Sequence, residues 1–543
     1  MRPDALVATS WYESSARERL AELLDPGSFT EIIPPTERCI SPHLAGFDLP
    51  SAFDDGIVIG SGRLEGNRVL VAAQESSFLG GTFGEVHGAK MIGLLRAAAG
   101  SSGVSAVLLL LDTGGVRLQE ANAGEIAVGQ AIVALLEARA AGVPVLALIG
   151  GRAGCFGGGG LIAGSCSAVV ISEQGRLGVS GPEVIETNRG VEEFDARDRP
   201  LVWRITGGRT RRLLGIADAY VEDTIDAFRT AANRLLADAP PLDLPVLLAE
   251  HETLAQRLAI FGDCRDAPEI WQLLHLLTAV QDVSDAAFEK MVAGLQAPPD
   301  GPAALAVASQ PVVLSEMLGV AFDWRHQVTI DTDGVILGNA HPPSGVPMAI
   351  VGLAKGLPLG AAAALRLSAA VQSVMQSAPS QPILVLVDTE GQTMSRGEEL
   401  LGLSQAIAHL AKTIVLARLS GHRVIALLYG KAVAAAFIAL GLVAETALAL
   451  PKADPAVMNL AAIARVTKLP LAHLESMSQT TPVFAPGLGP MLRLGAISEI
   501  IGPDINLATR LGEIFATPGK LVANVALPGA DLARRVQAEA SRE

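Results

Sequence analysis

The sequence predicts an α/β protein made of two similar domains, each with a parallel β-sheet core and surrounding helices. Three observations carry this. Ala106–Leu111 and Val143–Ile149 are short, wholly apolar runs ending in glycine clusters, the pattern of parallel strands buried on both faces. A helix-like stretch separates them, and right-handed crossovers of this kind build a parallel sheet with its helices outside. The arrangement then recurs. Asp112-Thr113-Gly114-Gly115 is matched 276 residues on by Asp388-Thr389-Glu390-Gly391, and in both copies a second glycine turn follows.

In chain order, Ser10 is placed to cap a helix over Trp11–Leu24, which Asp25-Pro26-Gly27 stops. Ile57–Gln74 reads as a hairpin turning at Glu65-Gly66-Asn67. Glu85–Ala99 is a helix with Val86, Met91, Leu94 and Leu95 on its apolar face, and it carries His87 and Lys90. After strand Ala106–Leu111 come a helix over Gln119–Ala141, strand Val143–Ile149, a glycine-rich helix and strand Val169–Ser172. Arg204–Arg212 is a basic island on an acidic chain, either a solvated turn or a docking point for an acidic carrier protein. Helical patterns continue through Thr278–Leu295, and Gly294–Pro311, rich in Ala, Pro and Gly, reads as a linker. Beyond it lie strand Pro382–Val387, a helix over Glu398–Arg418 and strand Val424–Leu428. The apolar stretch Ala432–Ala444 is too short to span a bilayer and is expected as a buried helix.

Composition narrows the function. The 543 residues are 50% hydrophobic and 18% charged, which suits a core-rich globular protein of two to four domains. A net charge of −15 argues against nucleic acid or an anionic membrane as partner. Cys39, Cys155, Cys166 and Cys264 are scattered without a C-x-x-C pair, as expected of reduced thiols in the cytoplasm, and they form no zinc site. The first residues contain no apolar run of the secretory type. There is no G-x-x-x-x-G-K-[ST], H-E-x-x-H or G-x-S-x-G motif. Gly158-x-Gly160-x-x-Ala163 starts too far past the strand end near Gly150 to hold a dinucleotide pyrophosphate. What the glycine turns can do is bring main-chain N–H groups close to a ligand. Two such turns on neighbouring strands can aim two donors at one oxygen, forming an oxyanion hole.

The motifs DTGGVRLQE (Asp112–Glu120), GGRAG (Gly150–Gly154) and SGPEVIE (Ser180–Glu186) resemble the carboxyltransferase branch of the crotonase superfamily. LAELLDPGSFTEI (Leu20–Ile32) and FLGGTFGEVHGAKM (Phe78–Met91) fit in the same order. Within that branch the first half is similar to β subunits of biotin-independent malonate decarboxylases. The second half, through LVDTEGQTMSRGEELLGLSQAIAHL (from Leu386) and LPKADPAVMNLAAIARVTK (from Leu450), is similar to their γ subunits. The resemblance implies two crotonase-like domains: a β-like unit over residues 1–295, a linker over 296–310 and a γ-like unit over 311–543.

It also implies an activity, the decarboxylation of a malonyl thioester held on an acyl carrier subunit, with a carrier transferase as further partner. The carried group would be of the phosphopantetheine type, derived from dephospho-coenzyme A. No cofactor would be bound covalently, and no biotin or metal would be used. A homo-oligomer is compatible with this. One hole would take its donors near Gly115/Val116 and Gly154/Cys155. The other would use Gly391/Gln392 and Ala435/Ala436, where alanines replace the family's usual glycines. Lys90 would approach a phosphate of the thioester carrier, or lie with His87 on a solvated face; Arg117 and Arg152, near the glycine turns, and Ser180 would hold substrate, though Arg117 could equally pair with Glu120 three residues on. Glu120, Glu183 and His87 are candidates for the acid that protonates the product. A fused biotin-dependent acyl-CoA carboxyltransferase is the alternative, though Val457-Met458-Asn459 is the nearest approach to a biotin attachment motif. A non-catalytic assembly partner is the third reading.

Overall fold

The computed structural model describes residues 8–101, 103–276, 280–295, 307–342, 347–517 and 527–542. They form two lobes, each around one sheet. In the first, β1 (Thr30–Ile32), β2 (Ile57–Leu64), β3 (Asn67–Gln74), β4 (Ala106–Leu111), β5 (Val145–Ile149), β6 (Ala168–Ser172) and β7 (Ala219–Val221) lie side by side in chain order. β1 to β3 pair antiparallel, and β3 to β7 pair parallel. β4, β5 and β6 are buried throughout, as their unbroken apolar runs require. The hairpin turns where it was expected.

The second sheet repeats the plan. β8 (Ser309–Pro311), β9 (Arg325–Asp331), β10 (Val335–His341) and β11 (Met348–Leu353) pair antiparallel. β12 (Ile383–Thr389), β13 (Val424–Val433), β14 (Thr446–Ala449) and β16 (Glu499–Ile500) continue parallel, with β15 (Asp454–Ala456) added to the end of β13. The expectation of two α/β domains with parallel cores therefore holds, with antiparallel strands extending one edge of each sheet.

Local departures have local causes. The first helix is Ala16–Leu23, because Ser15 and Glu18 close a capping box that Ser10 cannot. Trp11 instead leaves the helix and stacks on Phe228, centroids 4.0 Å apart. Gly402, at φ +82°, divides the helix expected over Glu398–Arg418 into Arg396–Leu400 and Leu403–Leu419. Ala432–Ala444 is buried almost throughout, as expected, but as a strand end, a short helix (Ala434–Phe437) and a π-helical turn (Ile438–Leu442). The Arg204–Arg212 island is neither a solvated turn nor a docking patch. It falls in helices Arg199–Thr206 and Gly208–Leu213, with Arg209 and Arg211 buried and Arg204 paired with Asp266 at 2.9 Å.

The lobes interlock. The last helix, Ala530–Ala540, packs on the first lobe's Glu85–Gly100 helix so closely that a Cβ on Gly93 would lie 2.5 Å from the Ala533 carbonyl oxygen. Leu244–Phe261 reaches the other way: Glu250 pairs with Lys412 at 2.5 Å and with His409 at 3.2 Å. Of the expected linker, residues 296–306 lie outside the described residues, and Ser309 and Gln310 already belong to β8. No helix among the described residues is long and apolar enough to cross a membrane.

Candidate active site

At the carboxyl end of β4, Asp112 ties two turns together. Its Oδ1 accepts from Ala153 N–H at 2.7 Å, and its Oδ2 accepts from Ser76 Oγ at 2.9 Å and Arg19 Nη1 at 3.2 Å. A Cβ on Gly151 would sit 2.0 Å from that carboxylate. The next residue, Thr113, accepts from Gly115 N–H through Oγ1 at 3.0 Å and from Phe156 N–H through its carbonyl at 3.0 Å. Gly115 (φ +115°) and Gly157 (φ +57°) then meet face to face; a Cβ on Gly157 would be 3.0 Å from Gly115 Cα. Only glycine permits both the backbone conformation and the approach.

Two donors are left over where these turns abut. Val116 N–H makes no hydrogen bond within the described residues, since its neighbours engage Phe83 instead. Gly158 is the first residue of helix Gly158–Ser165, so its N–H has no partner in the helix. The helix dipole adds positive potential there. The free donors lie three residues beyond those expected near Gly154/Cys155, which are already engaged. Cys155 N–H donates to Arg176 O at 2.8 Å, and Gly154 N–H points to Gly151 O at 3.4 Å. The Cys155 thiol is fully buried, and burial pushes its pKa well above the ordinary value.

The second lobe carries the same device in altered form. Asp388 Oδ1 accepts from Lys431 N–H at 3.0 Å, and Thr389 Oγ1 accepts from Gly391 N–H at 3.3 Å. Ala434 occupies the place of Gly157 at φ +47°, so Ala435 N–H corresponds to Gly158 N–H. That donor is met from within: Gln392 Oε1 accepts from Ala435 N–H at 3.4 Å, and Gln392 Nε2 donates to Ser180 Oγ at 3.2 Å. Ala436 is fully buried beneath it.

Both sets of turns open into one cleft of about 1790 Å³ between the lobes, lined by Val116, Gly157 and Gly158 on one side and Gln392, Ala434 and Ala435 on the other. Glu399, fully buried, bridges the lobes by accepting from Ser180 N–H at 2.6 Å and Val179 N–H at 3.1 Å. Burial pushes its pKa up to about 7 against the pull of those donors and Arg211. Ser180 is therefore an element of the junction. Beside the cleft a pocket of about 280 Å³ gathers Arg152, Arg176 and Arg199, with Arg176 and Arg199 stacked on Trp203 at 5.0 and 5.5 Å. Arg176 and Arg199 had no signal in the sequence, because only the fold brings them to Arg152.

The other predicted residues divide. Arg152 lines the cleft, over the Tyr12 ring and paired with Glu13. Glu183 is exposed at the rim. Arg117 is 1% exposed and spends its guanidinium on Asp55 at 2.9 Å and Glu120 at 2.7 Å. Burial pushes Asp55 up to about 6. Glu120 also accepts from Ser41 Oγ at 2.6 Å. Lys90 is buried away from the cleft, bonded to the carbonyls of Asp54 at 3.0 Å and Ile57 at 3.4 Å. His87 is buried against Gln74 at 3.2 Å, and burial with the nearby Arg117 pushes its pKa down to about 3, so it stays neutral. Among the described residues no cluster of His, Cys, Asp and Glu could hold a metal ion.

Residues 13–235 match the carboxyl transferase domain family, and residues 354–542 match the malonate decarboxylase gamma subunit family. The chain is 40% identical over 240 residues to the malonyl-S-ACP:biotin-protein carboxyltransferase MADC of Malonomonas rubra, covering 42% of this chain and 75% of that protein. It is 31% identical over 155 residues to MADD, the malonyl-S-ACP:biotin-protein carboxyltransferase of the same organism, covering 28% of this chain and 52% of that protein. Among solved structures, a Pseudomonas malonate decarboxylase hetero-tetramer in complex with malonate shares 39% identity, covering 53% of this chain and 98% of that chain, at a TM-score of 0.43.

Proposed function

Because this chain belongs to the malonate decarboxylase carboxyltransferases, with a carboxyl transferase domain followed by a γ-subunit domain, we propose that it decarboxylates a malonyl thioester presented by an acyl carrier. Residues 1–295 take the β-like part and 311–543 the γ-like part, and the products are the acetyl thioester and CO₂. The observation that carries the reading is the pair of unshared amides, Val116 N–H and Gly158 N–H, on residues that line the wall of the interlobe cleft.

Losing CO₂ from a malonyl thioester leaves an enolate with its charge on the thioester oxygen. Two fixed donors stabilise that charge without reorganising, and each such donor is worth about 2.7–4 kcal/mol. No base is needed to start the reaction, because CO₂ itself departs. Free malonate is a poor substrate for this step, since a carboxylate accepts the electron pair far less readily than a thioester carbonyl. A carrier and the transferase that loads it are therefore the expected partners.

MADC's name favours a second reading, transfer of the carboxyl group to a biotin protein. Gln392 favours the first. Its side chain fills the second hole, the place where a carboxyl acceptor's carbonyl oxygen would otherwise be polarised. Incubating the purified chain with malonyl-S-carrier protein or malonyl-coenzyme A separates the two. CO₂ release that excess avidin leaves unchanged, with free malonate inert, supports decarboxylation; loss of release with avidin, restored by biotin, moves the chain to the transferases.

A further inference from the structure

The helix Ala121–Ala140 lies between the lobes, and one stripe of it faces the second lobe. Asn122 Nδ2 donates to the carbonyls of Pro482 and Ala485 at 2.8 and 2.7 Å. Two turns on, a Cβ on Gly129 would lie 2.7 Å from Leu442 Cβ. Glu125 falls between these positions on the same stripe, by the helical spacing of three and four residues. It borders the cleft together with Val116, Gly158, Ala435 and Ile438.

Its surroundings are unusual for a carboxyl group. Glu125 is fully buried, and neither of its side-chain oxygens has a hydrogen-bond partner among the described residues. A charged carboxylate left that way is strongly disfavoured, and the protonated form is favoured in its place. Burial alone pushes its pKa well above the carboxylate range. The acids considered from the sequence lack this combination. Glu120 is held by Arg117 and Ser41, His87 is neutral and bonded to the Asp55 carbonyl at 3.1 Å, and Glu183 is in solvent.

We propose that Glu125 is the acid that protonates the enolate carbon after CO₂ leaves. This rests on the decarboxylase reading above. The bond between the α-carbon and the carboxyl carbon breaks, and CO₂ departs without the electron pair. That pair becomes the enolate, held by Val116 N–H and Gly158 N–H. The O–H bond of Glu125 then breaks as a C–H bond forms at the α-carbon, giving the acetyl thioester and a Glu125 carboxylate. Water entering the cleft after product release returns the proton, so each turnover takes up one proton from solvent.

The test uses the full chain with malonyl-coenzyme A and malonyl-S-carrier protein as probes, comparing wild type with Glu125→Gln, which keeps the shape and removes the acid. A positioned general acid contributes about 10²–10⁴-fold, so kcat should fall by at least about 100-fold while KM stays within about threefold. Infrared spectroscopy at neutral pH, which needs no turnover, should show a protonated-carboxyl band in the wild type that the variant lacks. Absence of that band, or wild-type-like turnover by a folded Glu125→Gln, overturns the role of Glu125 alone. If the wild-type chain releases no CO₂ from either thioester, the functional reading falls and this proposal with it.

Discussion

Individual buried charges fix the junction next to the site, and Glu399 is the one whose behaviour pH reports. Its folded pKa of about 7 lies above the ordinary glutamate value of 4.5. Between those values the folded chain holds a proton that the unfolded chain has released, so stability is full below about pH 4.5 and falls as pH rises through about 7. The loss should be roughly 3 kcal/mol across that window. Thermal unfolding followed from about pH 5 to pH 8 should therefore show a declining midpoint in the wild type and a shallower decline in Glu399→Gln. Asp55, raised to about 6, and Glu125, raised well above the ordinary value, add slopes of the same sign that both chains share. Equal slopes would mean that Glu399 is ionised throughout. At this scale the sequence was least informative. It marked glycine clusters that the structure brings together, but placed one donor near Gly154/Cys155, because nothing in the chain tells that Arg176 O has already taken the Cys155 amide. Glu125 did leave a trace, as the lone charge in the apolar run Ala123–Gly129.

At the level of elements, the strand ends do the chemical positioning and their glycines are not equivalent. Gly157 and Ala434 both hold a positive φ, +57° and +47°, at equivalent places in the two lobes. Gly157→Ala would place a Cβ 3.0 Å from Gly115 Cα and push apart the turns that carry Val116 and Gly158. It should depress decarboxylation well over tenfold. Ala434→Gly relieves a conformation that costs an L-residue about 1 kcal/mol, so it should leave stability equal or slightly higher. Steady-state rates paired with thermal midpoints check both, and equal effects of the two substitutions would deny the difference between the holes. The strands themselves were legible in the sequence, because a strand buried on both faces must be apolar throughout. Helix limits were not: Ser15 displaces Ser10 as cap because its partner Glu18 stands three residues on, and Gly402 breaks a continuous apolar period. The engagement of Ala435 N–H by Gln392 was hidden too, since it depends on where one glutamine side chain points.

For the whole molecule, the repeat visible in the sequence became two lobes sharing one cleft, but their interlocking did not follow from it. Ala530–Ala540 covers the first lobe and Leu244–Phe261 braces the second, so the division along the chain is not the division in space. The cleft exists because both lobes contribute a wall, and the proposed chemistry rests on main-chain donors rather than on a nucleophile. Gly158 offers a direct test, because proline is well tolerated at the first position of a helix and deletes the N–H. Its Cβ would meet Val128 Cγ2 at 2.5 Å, so the substitution belongs in a Val128→Ala background. The deciding measurement is CO₂ release from malonyl-coenzyme A and malonyl-S-carrier protein by Gly158→Pro/Val128→Ala against Val128→Ala alone, both shown to be folded. A main-chain oxyanion hole predicts a loss of about 10²–10³-fold in kcat. A double variant turning over within a few-fold of its background would contradict it.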